Sequence, residues 1–304
     1  MTGGLKLAWR ELCERCFEPD VPLSRFTTIK TGGPARYFLE ANDETVLAAA
    51  WREARKMGVP VLVIGNGSNL LISDKGFDGL AIHMGQGFSR LERDGLSIRA
   101  QAGAALKALA FFAADNDLEN LSFAAGIPGT VGGAAVMNAG AFNWEMSQVI
   151  QAIDCVDKTG SHMQLSAREA GYSYRHSRMM EDGLLVLGVT LGLVPGIREA
   201  QYDVMASYQA VRRERQPLAW PSAGSFFKRP QGNFAGALIE QAGLKGFSVG
   251  QAQVSEKHAG FLINLGGATT ADFLKLKSEV QKTVFERFGV TLEPEVRIIG
   301  EEAR

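Results

Sequence analysis

Cysteine is scarce in this chain of 304 residues. Cys13, Cys16 and Cys155 do not make a disulfide framework, and their simplest setting is a reducing cytosol. Cys13 and Cys16 fit Cys-x-x-Cys, but no second pair accompanies them, so zinc is disfavoured. The four histidines, His83, His162, His176 and His258, are scattered without metal spacing, and no metal is expected. Charge of either sign is not in excess: 32 basic residues face 33 acidic ones, for a formal net charge of −1. A nucleic-acid binder shows a basic domain or stripe, so none is expected as a partner. No run of about 18 apolar residues is present, so no membrane span is expected. Residues 1–12 lack the apolar core of a secretory signal. Proline is also sparse, at 10 residues, which argues against a collagen-like or low-complexity chain.

Glycine is what abounds. There are 35, well above the average share of roughly 7%. Hydrophobic residues at 46% and charged residues at 21% describe an ordinary globular protein, so the glycines need a backbone reason. Tight turns and close approach to a ligand are the two candidates. At roughly 100–200 residues per domain, two or three domains fit the length.

Periodicity outlines the elements. Helices are expected over 5–16, 45–57, 106–117, 200–215 and 234–242, with a longer one after Thr269. Thr269 and Asp272 have capping-box spacing, Phe273, Leu276, Val280 and Val284 recur along one face, and Gly289 stops the helix. Strands are expected over 36–40, 61–64, 70–72, 80–82, 97–100, 149–156, 163–165, 184–193, 260–264 and 290–299. Pro19 and Pro22 should break the chain, and no regular element accounts for 125–134. The fold class is α+β.

Several clusters carry chemistry. Strand 61–64 runs into Gly65-Asn66-Gly67-Ser68-Asn69, a turn in which successive N–H groups can form an anion nest. Position six of a Rossmann fingerprint would be Leu70 instead of Gly, so the ordinary dinucleotide fold is disfavoured. A plain tight turn is the competing reading. Gly126-Ile127-Pro128-Gly129-Thr130-Val131-Gly132-Gly133-Ala134 has four glycines in eight residues. It suits a flat ligand lying on bare backbone, or a buried crossover using glycine for close packing. Arg175 sits in Tyr172-Ser173-Tyr174-Arg175-His176-Ser177, and Ser225 in Pro221-Ser222-Ala223-Gly224-Ser225-Phe226-Phe227-Lys228. No Gly-x-Ser-x-Gly elbow occurs, so a serine hydrolase is not indicated; Ser225 is open to two readings, a proton donor or an ordinary loop serine. Glu295 lies in Leu292-Glu293-Pro294-Glu295-Val296.

Together with Thr28 to Ala35, Met137-Asn138-Ala139-Gly140-Ala141, Ala242 to Gly246 and Val254 to Ala259, these stretches resemble the UDP-N-acetylenolpyruvoylglucosamine reductase (MurB) family of peptidoglycan synthesis. The resemblance covers roughly residues 27–300. It implies a two-domain FAD-binding fold of the vanillyl-alcohol-oxidase type plus a third α+β substrate-binding domain. The implied boundaries are 1–86 for the first FAD-binding subdomain, with 297–304 returning to it, 87–199 for the second, and 200–296 for the substrate domain. It implies non-covalent FAD and NADPH, and reduction of an enolpyruvyl ether to a lactyl ether on a sugar nucleotide; the setting expected from cysteine use is cytoplasmic, and nothing in the sequence demands more than a monomer. Residues 65–69 with Leu70 would hold the pyrophosphate, and 126–134 would lie near the flavin. The family's catalytic arginine falls on Arg175, its proton-donating serine on Ser225 and its glutamate on Glu295. Ionised Glu295 would repel a substrate carboxylate, so a shared or neutral proton is expected there in the substrate complex. Substrate contacts are expected from Lys228, Arg229, Arg215, Asn138, Tyr174, Gln251 and His258. The spacing between Arg175 and Ser225 leaves no long insert, which matches the shorter family form without the extra tyrosine loop. The alternatives are another flavin oxidoreductase of the same fold and a non-redox sugar-nucleotide-binding module.

Overall fold

The computed structural model of the chain describes residues 8–300. They form two compact units, each assembled from separate stretches. The first takes residues up to Pro19, Tyr37–Asn66 and Gly79–Ala210; the second takes Asp20–Arg36, Gly67–Asp78 and residues from Val211 on.

Two sheets contribute strands to the first unit. One has strand order Glu18–Pro22, Pro34–Glu40, Phe77–His83, Val61–Ile64. The run Val61-Leu62-Val63-Ile64 is β-branched and apolar, and it pairs in parallel with Leu80 to His83. Helix Glu44–Lys56 covers this region. Asp43 caps it by accepting from the Val46 N–H at 2.9 Å, and Arg55 and Lys56 sit in its last turn, where cations suit the dipole. Leu47, Ala50, Trp51 and Ala54 fall one turn apart and are buried. The second sheet is antiparallel, with order His162–Ser166, Ile150–Val156, Leu185–Gly192, Ser97–Gln101, Leu91–Asp94. Helix Leu106–Asp115 buries Leu106, Leu109, Ala110, Ala113 and Ala114, again one stripe.

The second unit holds a sheet ordered Ser222–Ser225, Phe261–Asn264, Ala252–Val254, Ser248–Val249, and a parallel pair of Leu70–Ile72 with Arg297–Ile299. Helix Thr270–Phe288 packs Phe273, Leu276, Val280 and Val284 into its core. The expected capping box is present: Thr269 Oγ1 accepts from the Asp272 N–H at 3.1 Å, and Asp272 Oδ2 accepts from the Thr269 N–H at 3.0 Å. Asp74 adds a second cap, accepting from the N–H groups of Thr270 and Ala271 at 2.8 and 2.9 Å.

Four expectations need correction. Residues 125–134 do contain regular structure: a 3-10 turn at Ser122–Gly126 and a helix at Val131–Met137. Two glycines in a seven-residue helix argue against it on propensity. Tertiary bonds compensate: the N–H groups of Val131 and Gly132 donate to Ala104 and Ala102 carbonyls at 2.8 Å, which satisfies two amides a helix start leaves open. Pro19 and Pro22 lie within a strand, Glu18–Pro22, instead of breaking the chain. That strand is at the sheet edge, where a missing N–H costs no ladder bond. The last strand is only Arg297–Ile299. Pro294 cannot donate, and the stretch before it makes single bonds to the 226–228 segment instead of a ladder. The first helix runs Trp9–Arg15; residues 5–7 of its expected span lie outside the described residues.

Candidate active site

Gly65 and Asn66 of the first glycine-rich loop meet the second loop within the first unit. Gly65 directly follows strand Val61–Ile64. A Cβ there would overlap Thr130 Oγ1 and come within 3.0 Å of Thr130 Cγ2, so Gly65 is bare because Thr130 lies against it. Asn66 Nδ2 donates to the Pro128 carbonyl at 3.4 Å. Gly67 has φ 58°, and a Cβ on it would collide with the Phe26 carbonyl and approach Thr27 Cα to 2.9 Å. The backbone N–H groups of Gly65, Asn66, Gly67 and Ser68 donate to no backbone or side-chain acceptor among the described residues. Consecutive open amides beside a left-handed glycine suit a diphosphate, as in an anion nest. In the second loop, Gly132 packs its bare Cα on Ala102, whose Cβ would be 2.7 Å from an added Cβ. Gly133 differs: a Cβ there would meet only Thr130 Oγ1, at 3.5 Å. So the bare Cα of Gly132 packs on Ala102, and the backbone at Gly133 stays open. The residues present therefore fit a flavin dinucleotide. Leu70 and Ala134 are buried, leaving only their backbones to offer, while Ser68, Asn69, Gly126, Ile127 and Gly129 are half-buried and Pro128 is exposed.

Arg175 also lies in the first unit. It occupies a tight turn in which Ser173 and His176 exchange N–H···O bonds at 3.2 Å each way. Its φ of 56° is left-handed, a conformation that a non-glycine residue adopts only when its surroundings impose it. Arg175 Nη1 donates to the Asn138 carbonyl at 3.2 Å and Nη2 to the Gly140 carbonyl at 3.3 Å. The guanidinium carbon sits 5.0 Å from the Tyr174 ring centre, a cation–π contact. Glu145 Oε1 is 3.7 Å from Nη1. The side chain of Arg175 keeps 18% of its surface exposed.

Ser225 and Glu295 lie in the second unit, on neighbouring segments. Gly224, with φ 76°, puts a register shift into strand Ser222–Ser225 and leaves Ser225 at its exposed end. The Glu295 N–H donates to the Phe226 carbonyl at 2.9 Å, next to Ser225. Asn69 Nδ2 donates to the Glu295 carbonyl at 3.1 Å. Lys228 pairs with Glu293 at 3.3 Å, and the Arg229 guanidinium stacks 4.3 Å from the Phe234 ring centre. Arg215 ends helix Arg198–Arg215 on an exposed position, and Gln251 is exposed. His258 Nδ1 accepts from the Gly260 N–H at 3.1 Å, and its ring stands edge-on to Phe261. Burial is the main force holding the His258 imidazole below the ordinary histidine range, with nearby Lys245 adding to it.

Two family models match the chain. One is an FAD binding domain over residues 35–166; the other is the C-terminal domain of UDP-N-acetylenolpyruvoylglucosamine reductase over residues 216–299. The UDP-N-acetylenolpyruvoylglucosamine reductase of Agathobacter rectalis is 47% identical over 294 residues, covering 93% of each chain. The chain belongs to the UDP-N-acetylenolpyruvoylglucosamine reductase family. The enzyme of the same name from Heliobacterium modesticaldum is 46% identical over 92% of this chain and 90% of its own. The crystal structure of the Thermus caldophilus UDP-N-acetylenolpyruvylglucosamine reductase superposes with a TM-score of 0.81 at 33% identity, over 93% of this chain and 99% of that one. Membership makes the protein an α+β flavoprotein reductase.

Reading residue types singled out Asn138 but not its partner Glu145. Asn138 is 1% exposed, and its amide is spent on Glu145, Ser173 and Ser147. No sequence signal marks Glu145, because its partners are set by the fold. Among the described residues, no group of three or more His, Cys, Asp or Glu could hold a metal, and no helix is long and apolar enough to cross a membrane.

Proposed function

We infer that the protein reduces the enolpyruvyl ether of UDP-N-acetylglucosamine enolpyruvate to the lactyl ether of UDP-N-acetylmuramate, with NADPH as reductant, in peptidoglycan precursor synthesis. What carries this reading is 47% identity to a reductase of that name along 93% of both chains. FAD, when bound, would supply the two-electron redox chemistry between NADPH and the enolpyruvyl double bond.

The chain's residues then have separate tasks. The open amides of 65–68 hold the pyrophosphate of FAD, and the open backbone at Gly133 receives its ring. Reduction at C3 builds negative charge on C2 and the adjoining carboxylate. The Arg175 guanidinium stabilises that charge by charge-assisted hydrogen bonds, already held in place by two carbonyls and a ring. Ser225 delivers the proton to C2. A hydroxyl is a weak acid in water, but a carbanion-like centre takes its proton when geometry is fixed. Glu295, on the segment beside Ser225, is assigned as a hydrogen-bonding partner of the reacting group, which Glu295→Gln tests: an unchanged pH–rate profile supports the role, and inactivity at every pH removes it. Lys228, Arg229 and Arg215 are assigned to the substrate diphosphate; Tyr174, Gln251 and His258 are assigned to the rest of the substrate. The domain scheme is 1–86 and 87–199 for FAD and 200–296 for substrate, in a cytoplasmic monomer without nucleic-acid partners.

The test is direct. Purified protein should be yellow and should oxidise NADPH only with the enolpyruvyl substrate present. Ser225→Ala should still take electrons from NADPH into the flavin but form no lactyl product. NADPH oxidation that ignores the enolpyruvyl compound would point to another flavin oxidoreductase, and a colourless protein to a non-redox binding module.

A further inference from the structure

Left-handed backbone at residues other than glycine is concentrated around Arg175. Asn138 has φ 43°, Phe142 54°, Asn143 65° and Arg175 itself 56°. Such clusters persist only when surrounding bonds over-determine them, and they collect at functional sites. Among these residues, Asn138 is the one bonded directly to Arg175. It closes helix Val131–Met137 as the left-handed residue after the last turn, a role asparagine tolerates. Its side-chain Nδ2 donates to Glu145 Oε2 at 2.9 Å and to the Ser173 carbonyl at 3.1 Å. Its Oδ1 accepts from the Ser147 N–H at 3.0 Å. Its backbone carbonyl receives Arg175 Nη1 at 3.2 Å. Reversing the amide would set Oδ1 against a carboxylate and a carbonyl, and Nδ2 against an N–H, so the partners fix its orientation.

Glu145 is equally committed. Its N–H donates to Gln148 Oε1 at 2.7 Å in a capping box, which holds the residue that faces both Asn138 and Arg175. One asparagine thus ties a helix end, the 145–148 turn and the 173–176 turn together, all within the first unit. We propose that Asn138, held by Glu145, is the positioning residue of Arg175 and contacts no substrate. The proposal rests on the catalytic role assigned to Arg175 above. It departs from the substrate contact expected of Asn138, because a side chain 1% exposed with its amide spent has nothing to offer a ligand.

The perturbation is N138D, which keeps the shape and replaces the Nδ2 donor by an acceptor facing Glu145 and the Ser173 carbonyl. The Arg175 turn should shift, and kcat should fall about 10²-fold, the loss that a displacement near 1 Å produces. KM for the enolpyruvyl substrate and FAD affinity should stay at the wild-type values. Activity should climb again as pH falls, because two facing carboxylates share a proton and regain an O–H donor. The other charged groups on these segments are Arg175, the His176–Glu181 pair and the Arg178–Asp182 pair, all present in wild type, which therefore serves as the pH reference. In N138D/E145Q the donor and acceptor between positions 138 and 145 are exchanged while the Ser173 carbonyl still faces an acceptor, so turnover should recover in part at neutral pH. Glu145→Ala is the gentler variant should N138D fail to fold. It should lower kcat about tenfold, the worth of one hydrogen bond to a charged group, with Glu145→Gln restoring it.

A raised KM at unchanged kcat in N138D would make Asn138 a substrate ligand and overturn the proposal. Loss of flavin and of thermal stability without recovery at low pH, or no effect of Glu145→Ala on kcat, would overturn it as well. Arg175→Lys is measured alongside. Wild-type turnover in that variant would remove the catalytic role of Arg175, a failure separate from any result at Asn138.

Discussion

Gly65→Ala adds a single carbon, and its cost can be worked from the contacts around it. The new Cβ would overlap Thr130 Oγ1 and lie 3.0 Å from Cγ2 and 3.1 Å from Cβ of the same residue. Thr130 is 3% exposed and begins the helix at Val131, so it has little room to retreat. Without flavin the 65–69 turn can relieve the overlap by lifting away from Thr130. Flavin needs the turn in place, so the overpacking, about 1–3 kcal/mol for one inserted carbon, is charged to binding. At about 1.4 kcal/mol per tenfold, the FAD dissociation constant should rise about 5- to 150-fold. The assay is titration of apoprotein with FAD, followed by quenching of flavin fluorescence. Thr130→Ala removes Oγ1 and Cγ2, so G65A/T130A should regain most of the affinity, and the double-mutant cycle should show strong coupling. If Gly65→Ala binds FAD as wild type does, or if Thr130→Ala brings no relief, the contact is not the reason for the glycine.

Three further outcomes are expected. Burial, with a smaller push from Asp154, raises the Cys155 thiol to about 12, so an alkylating agent at pH 8 should leave it unmodified in folded protein, and modification there would contradict the assignment. His258 is held below its ordinary value of 6.5, so the unfolded state binds protons more readily. Its contribution to stability is therefore present above that value and lost as pH falls through and below it; denaturant melts from pH 8 to 5 should show a shallower decline in His258→Asn. Asp74→Ala strips the acceptor from two N–H groups of helix Thr270–Phe288 and should cost about 1–3 kcal/mol in urea unfolding, against about 1 kcal/mol for Thr269→Ala.

Local signals made the long helices legible. The stripe Leu47, Ala50, Trp51, Ala54 and the box Thr269 with Asp272 each need only neighbours one turn away. The helix Val131–Met137 could not be read this way, since its first amides are satisfied by Ala102 and Ala104, outside any local window. Edge strand Glu18–Pro22 was hidden by its prolines, whose tolerance depends on where the strand sits in the sheet. Residues 290–296 look like a strand by composition, yet Pro294 and the 226–228 segment settle them otherwise. At the site, glycine spacing marked both loops, but only the fold tells Gly132, bare for Ala102, from Gly133, bare toward open space. Arg175, Ser225 and Glu295 drew their roles from the family resemblance. The bonds that hold Arg175 come from 35 and 37 residues away, beyond the reach of periodicity.

The parallel pairing of Leu70–Ile72 with Arg297–Ile299 has a consequence for synthesis. Asn69 and Glu295, which bond beside this pair, stand 226 residues apart in the chain. On a ribosome adding 5–20 residues per second, the first strand emerges roughly 10 to 45 s before its partner exists. Through that interval Leu70, Leu71 and Ile72, all buried in the finished protein, present an open apolar edge next to the turn assigned to flavin. A chain stalled or clipped short of residue 297 should therefore be sticky and colourless, a client for chaperones whatever the quality of its remaining parts.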